Sequence, residues 1–291
     1  MKKIVCVSAL LLFTISSCER DRMINVESAP KIETVSVTGK WQKGYYKGEL
    51  IAYEIKDSMN IFLGDIIIPS REISLKPQMK RDQNNGTGVT SSYYLWPNRT
   101  MNYVIDPNTT ALRRQWIIIA MKNWSNTTGF RFLDVSKNLA KGDYVYIVYG
   151  MIGNNSAVGR IGGRQTINLQ NDAIGVIVHE LGHALGMYHE QMRSDRDKYI
   201  NIIWNNIKEE WKPQFIRYAC ADNVLVNDPV TRFDFKSIML YASFSTTAVN
   251  QSLPVMTDKS GGIWGDNVYN GTHAPSVTDA NWVKIRYKIV L

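Results

Sequence analysis

The sequence predicts an α+β protein, with a small N-terminal segment ahead of one larger domain that is sheet-rich in its first half and irregular in its second. Three observations carry this. Strand-like runs at residues 103–105, 144–149 and 166–169 accompany a helical pattern at 110–126. A second helical pattern, at 174–185, leads into the irregular part, where helical patterns remain only at 207–218 and 279–287. The 291 residues, 44% of them hydrophobic, suffice for one full core beside a small leading unit.

The chain opens with Met1-Lys2-Lys3 and a mostly apolar stretch at 4–15. That stretch is too short to span a bilayer, so residues 1–17 read as a signal peptide. It ends in Ile15-Ser16-Ser17-Cys18, which resembles a bacterial lipobox, with Cys18 as the acylated residue. The alternative is an ordinary secretory signal with a chance cysteine. Residues 19–35 are polar and read as a tether. Two strand-like runs follow, Glu49-Leu50-Ile51-Ala52-Tyr53 and Ile66-Ile67-Ile68, with Phe62-Leu63-Gly64-Asp65 just before the second. On residues alone this is a Gly-Asp turn between strands. Residues 71–88 are polar and hold Lys80-Arg81 and Asn84-Asn85-Gly86, as expected of an exposed, cleavable linker.

In the helix at 174–185, Ile174, Ile177, Val178, Leu181 and Leu185 form one apolar stripe, and Asp172 is the expected N-cap. His179, Glu180 and His183 then fall on the opposite side, with the two histidines one turn apart. Gly186 can take the left-handed conformation that ends a helix and turns the chain back, bringing His189 toward them. Three neutral imidazoles leave one coordination position open, the mark of a catalytic zinc site. Glu180, next to a ligand without being one, is the candidate general base.

The run His179-Glu180-Leu181-Gly182-His183, with Gly186 and His189, resembles the zinc motif of the metzincin clan of endopeptidases. The following Glu190-Gln191-Met192-Arg193-Ser194-Asp195-Arg196 and, further on, Ser237-Ile238-Met239-Leu240-Tyr241 resemble the astacin family in particular. A proline is more usual in that family at Ser194, and a histidine at Leu240. Residues 156–169, the run Leu95-Trp96-Pro97-Asn98 and the start of a last helix at 275–279 support the likeness, which covers residues 87 to 291.

The resemblance implies a two-subdomain catalytic domain with a cleft between its halves and one Zn2+ held by His179, His183 and His189. Met239 would lie beneath the metal in a Met-turn, and Tyr241 would be an additional ligand that can swing away. It implies an edge strand, led into by residues 156–169, that binds extended peptides. It further implies that residues 18–86 are a propeptide whose Asp65 occupies the metal and blocks it. Once the mature N-terminus is freed near Thr87, it would fold inward onto Glu190. A cut there would also detach the catalytic domain from a lipid on Cys18. Arg193, Asp195 and Arg196 are expected to form a structural set of ion pairs.

The net charge of +8 is diffuse, without a basic helix or an aromatic platform, so nucleic-acid binding is not expected. The three cysteines are Cys6, Cys18 and a lone Cys220, so the catalytic domain is expected to lack an internal disulfide. The expected partners are protein or peptide substrates, an activating protease and, through the N-terminal lipid, the outer membrane or cell surface; the expected state is a monomer. Two rivals stay open: a binding module on a metzincin fold without catalysis, and a zinc amidase acting on cell-wall peptides.

Overall fold

The computed structural model describes residues 41–76, 92–137, 142–150, 153–218 and 232–290. The signal segment, Cys18, the boundary between residues 86 and 87, and Cys220 lie outside them. No helix among the described residues is long and apolar enough to cross a membrane.

The N-terminal segment is a meander of β1 (Trp41–Tyr46), β2 (Glu49–Lys56), β3 (Met59–Phe62), β4 (Ile66–Ile68) and β5 (Ile73–Ser74). Strands β1 to β4 pair antiparallel in succession, and β5 returns beside β1. The first two turns, Lys47-Gly48 and Asp57-Ser58, have positive φ at both residues, the twist that two-residue hairpins require. Period-two burial gives the meander one inner face: Ile51 with Tyr53, and Ile66 with Ile68, are all nearly inaccessible, whereas Leu50 is exposed.

The main domain begins with β6 (Thr100–Ile105), which runs parallel to β7 (Arg131–Asp134) and is joined to it by helix α1 (Ala111–Thr128). The Thr110 side chain caps α1, and Gly129 ends it in the left-handed region. Strands β8 (Tyr144–Tyr149), β9 (Asn155–Ala157) and β10 (Arg164–Leu169) follow. β8 lies parallel between β6 and β10, and β9 runs antiparallel on β10. All ten strands form one sheet in the order β5-β1-β2-β3-β4-β9-β10-β8-β6-β7. The resemblance implies an edge strand that residues 156–169 lead into, but the strand ending that run, β10, lies inside the sheet between β8 and β9, so the edge position of the main domain on that side falls to β9. It is not open, because β4 lies parallel along it, pairing Ile66 with Ser156 and Ile67 with Ala157.

Helix α2 (Ile174–Ala184) packs on α1 beside the sheet. Its first turn departs from expectation. Ala173 is the N-cap and offers no side-chain bond, while Asp172 instead forms a two-point pair with Arg113 of α1, at 2.8 and 3.1 Å. The bidentate guanidinium outcompetes the amide donors for that carboxylate. Beyond α2, the chain holds a two-stranded sheet of β11 (Ile200–Ile202) and β12 (Met256–Asp258), the short α3 (Asn267–Asn270) and α4 (Val277–Arg286). The expected helix at 207–218 is not an α-helix: residues 209–215 form 3-10 turns. Pro213 lies within them, lacks an N–H and disfavours α geometry at Lys212.

Three apolar clusters result among the described residues. The largest joins the β6-β8-β10 face to α1, α2 and α4, and a second fills the lower part around Phe215, Leu240 and Met256. Leu240, where the family more often has histidine, is a 2% exposed member of that lower core, so the change falls on packing. The remaining cluster is shared between the N-terminal meander and the main domain.

Candidate metal centre

Four contacts hold α2 in place. The Trp124 and Trp96 indole N–H groups donate to the Val178 and Ala184 carbonyls at 2.9 and 2.8 Å. The Tyr287 hydroxyl donates to the Leu185 carbonyl at 3.0 Å, and Gly186, with φ 110°, donates its amide to the His183 carbonyl at 2.7 Å as the chain reverses. The turn leads His189 back over the helix. Every residue of α2 from Gly175 to Ala184 is buried, so the histidine face is as enclosed as the apolar one.

The three Nε2 atoms converge: His189 lies 3.2 Å from His183 and 3.3 Å from His179. Three ring nitrogens at about 2.0–2.1 Å from one tetrahedral zinc would stand about 3.3 Å apart, so the spacing fits that ion. The outer nitrogens fit as well. His179 Nδ1 meets the Ile238 carbonyl and His183 Nδ1 the Met187 carbonyl, both at 2.8 Å. Donation to a carbonyl fixes the proton on Nδ1 and leaves the Nε2 lone pair free for a metal. Burial pushes His183 down to about 4 and His189 down in the same direction, so both rings are neutral at neutral pH. Burial acts likewise on His179, but the hydrogen bond and charge of Asp65 raise it on balance.

Asp65 completes the group. Its Oδ2 lies 3.0 Å from His189 Nε2 and 3.4 Å from His179 Nε2, and its Oδ1 lies 3.6 Å from His183 Nε2. These four side chains form the one candidate metal cluster among the described residues. Burial alone would raise the Asp65 carboxyl; His189 and the hydrogen bonds of His179 and His183 outweigh it and hold it well below the usual carboxylate range. The Gly-Asp turn expected at Phe62-Leu63-Gly64-Asp65 is present, and its aspartate stands among the three histidines. β3 ends at Phe62 and β4 starts at Ile66, and the tight turn between them, with Leu63 and Gly64 at φ 60° and 94°, points Asp65 at the histidines. A side chain at Gly64 would displace the Gln214 amide and would be strained at φ 94°, a conformation that favours glycine.

Glu180 is 2% exposed, and its Oε2 has no hydrogen-bond partner. Burial, then the Asp65 charge, push its carboxyl well above its ordinary value, giving it a high affinity for a proton. The Tyr241 hydroxyl donates to the Leu63 carbonyl at 3.0 Å, and its ring centre stands 4.5 Å from that of His189. Met239 is fully buried beside α2, and its carbonyl accepts the Glu190 amide at 3.0 Å. Glu190 is also buried: it accepts from Arg193 at 3.2 Å and from the Asp234 amide at 3.0 Å, and burial pushes its carboxyl up to about 8. Arg193 binds Asp195 at two points, 2.9 and 3.0 Å, and Arg196 binds Asp197 at 3.0 Å.

One residue that its sequence context marks only as part of a helix start braces this site. Asp279, 2% exposed, accepts from the Ser237 hydroxyl at 2.7 Å and from the Ile238 and Ser276 amides, both at 2.9 Å. It ties the start of α4 to the turn that carries Met239. Its sequence signal is the Ser276-x-x-Asp279 spacing, a capping box that the structure contains.

Gly182 lets Met239 approach the helix, since a methyl there would stand 2.6 Å from the Met239 sulfur and 3.4 Å from the Trp124 ring. Gly182→Ala is therefore expected to cost about 1–3 kcal/mol through overpacking. Denaturant unfolding checks this, and an unchanged midpoint would mean that Met239 moves aside freely.

Comparison with known proteins agrees with this geometry. The chain is 36% identical over 176 residues to zinc metalloproteinase nas-15 of Caenorhabditis elegans, covering 60% of this chain and 29% of that protein. It is 29% identical over 255 residues to zinc metalloproteinase nas-4 of the same organism, covering 83% of this chain and 76% of that one. The chain thus spans under a third of one of these relatives and about three quarters of the other. Among solved structures, it is similar to high choriolytic enzyme 1, a hatching enzyme zinc-protease from the medaka fish Oryzias latipes. That match has a TM-score of 0.58 and 29% identity, and covers 69% of this chain and 97% of that one. The model of the Astacin peptidase family matches residues 88–288, and the chain belongs to that family.

Proposed function

We propose that this chain is a zinc-dependent endopeptidase made as an inactive precursor, with residues 18–86 as prosegment and 87–291 as catalytic domain. The observation that carries the reading is a carboxylate from the N-terminal segment set among three convergent imidazoles, beside a buried glutamate with an unpartnered oxygen. Zinc held by His179, His183 and His189 would supply Lewis acidity at a scissile carbonyl and lower the pKa of water.

The chain's own groups do the rest. Glu180 takes the proton of the attacking water and passes it to the leaving amine. The Tyr241 hydroxyl, once free of the Leu63 carbonyl, donates to the developing oxyanion. β9 offers its backbone edge to an extended peptide; the Ser156 amide that now donates to the Asp65 carbonyl, at 2.9 Å, is one such donor. In the precursor Asp65 fills the position a substrate needs, and β4 covers the strand edge. Glu190 is the group on which a freed N-terminus near Thr87 would settle, joining Arg193 and the Asp234 amide. Export through residues 1–17, tethering through Cys18 at the outer membrane or cell surface, activation by another protease and action as a monomer complete the proposal.

The test is digestion of casein by the chain freed of residues 1–86. Turnover is expected, with loss of at least about 100-fold on chelation and recovery on adding zinc. A zinc-loaded protein that leaves casein intact but cleaves cell-wall peptides would favour the amidase, and one that cleaves neither would favour the binding module.

A further inference from the structure

We infer that the prosegment, once severed from the catalytic domain, stays docked in the cleft as a tight inhibitor, so that one cut in the connecting segment neither activates nor releases the enzyme. This rests on the zymogen reading above and adds a second step to it.

The contact has the character of a protein interior. Phe62 and Leu63, at 0% and 1% exposure, lie in one apolar cluster with Val158, Tyr188, Met192 and Tyr218 of the catalytic domain. The Phe62 and Tyr218 rings meet edge to face at 5.2 Å, and the Tyr218 hydroxyl reaches the Tyr46 carbonyl at 3.4 Å. Among the described residues, the meander's inner face packs on the catalytic domain. Parting the two opens a core, as in an obligate interface.

Polar contacts ring the cluster. β4 is hydrogen-bonded to β9, and the Tyr241 hydroxyl holds the Leu63 carbonyl. Arg71 donates to the Ile161 carbonyl. The Lys47 ammonium sits 3.9 Å from the centre of the Tyr94 ring and 3.3 Å from the Tyr188 hydroxyl. All of these contacts are made by residues 46–71 of the meander, and the cut falls between residues 82 and 88. Cutting a short link removes only its effective concentration, of millimolar order. An interface with a dissociation constant below the working concentration therefore remains closed. If Cys18 carries the lipid, the cut enzyme also stays on the membrane, contrary to the expectation that one cut both activates and frees it. A further cut within residues 41–74 would destroy the inhibitor.

The experiment uses the full chain with a site-specific protease sequence inserted between residues 82 and 88. After complete cutting, the sample is run on a sizing column at about 1 μM and assayed on casein. The two fragments are expected to elute together, with activity at least 100-fold below that of the same sample after the prosegment is stripped in mild urea and the enzyme returned to buffer. Immediate separation on cutting, or full activity without stripping, overturns the inference. A Phe62→Ala, Ile66→Ala double variant, with zinc content confirming its fold, is expected to separate on cutting and to gain activity; if it stays docked as tightly as the parent, the apolar contact is not what holds the prosegment. Fragments that co-elute but stay inert after stripping would leave the docking intact and overturn the peptidase reading instead.

Discussion

Glu180→Gln, in the chain freed of residues 1–86, is expected to lower kcat/KM for a peptide substrate by about 10²–10⁴-fold while leaving one zinc per chain. A loss of 10³ corresponds to about 4 kcal/mol of transition-state stabilisation. The substitution keeps shape and volume, and the residue sits rigidly in α2, where every neighbour is buried. What it removes is basicity. Oε2 of Glu180 has no hydrogen-bond partner, which is costly for a buried carboxylate unless that oxygen has a task. Burial and the nearby Asp65 charge raise its proton affinity, as a group that must capture a proton and hold it until an amine leaves requires. Glutamine can neither accept nor return that proton. Steady-state kinetics beside metal analysis checks the expectation. Near-normal turnover with zinc in place would show that the proton travels by another route. Loss of zinc together with turnover would show that Glu180 shapes the site and does not act as its base.

The convergence of the three histidines was legible in the sequence because helix geometry encodes their spacing. His179 and His183 are one turn apart, Gly186 permits the reversal, and His189 follows at a short distance along the chain. Asp65 was legible only through resemblance, since its nearest partner, His189, lies 124 residues away and its local signal is that of a turn. Three elements departed from the expectation, two because tertiary contacts outweighed local preference and one because of a proline within the helical pattern. Asp172 abandons its cap for Arg113, 59 residues distant. The helical pattern at 207–218 yields to Pro213. The edge strand is buried because β4 adds to it, and nothing local in residues 155–157 announces that. Glu190 shows the same limit: its residue type and place were readable, but its present bonds to Arg193 and the Asp234 amide arise from the fold around it.

Asp279→Ala is expected to destabilise the protein by about 4 kcal/mol and to weaken zinc binding by about 10–100-fold, although Asp279 touches no ligand. The carboxylate collects three buried donors: the Ser237 hydroxyl and the amides of Ile238 and Ser276. Alanine leaves all three without an acceptor, and each such orphan costs about 1–3 kcal/mol. The effect then spreads along bonded neighbours. The Ser237 hydroxyl accepts the Met239 amide at 3.0 Å, and the Ile238 carbonyl holds His179 Nδ1 at 2.8 Å. Loosening the turn therefore frees an imidazole whose orientation sets the metal site. The magnitude separates this account from a simpler one. As one half of a capping box, Asp279 would be worth about 1 kcal/mol, and its loss would leave the metal untouched. The alanine variant also keeps the other half, since the Ser276 hydroxyl still receives the residue 279 amide at 3.0 Å. Urea unfolding measures the first quantity and competitive zinc titration the second. A loss near 1 kcal/mol with unchanged zinc affinity would confine Asp279 to the start of α4 and cut the link to His179.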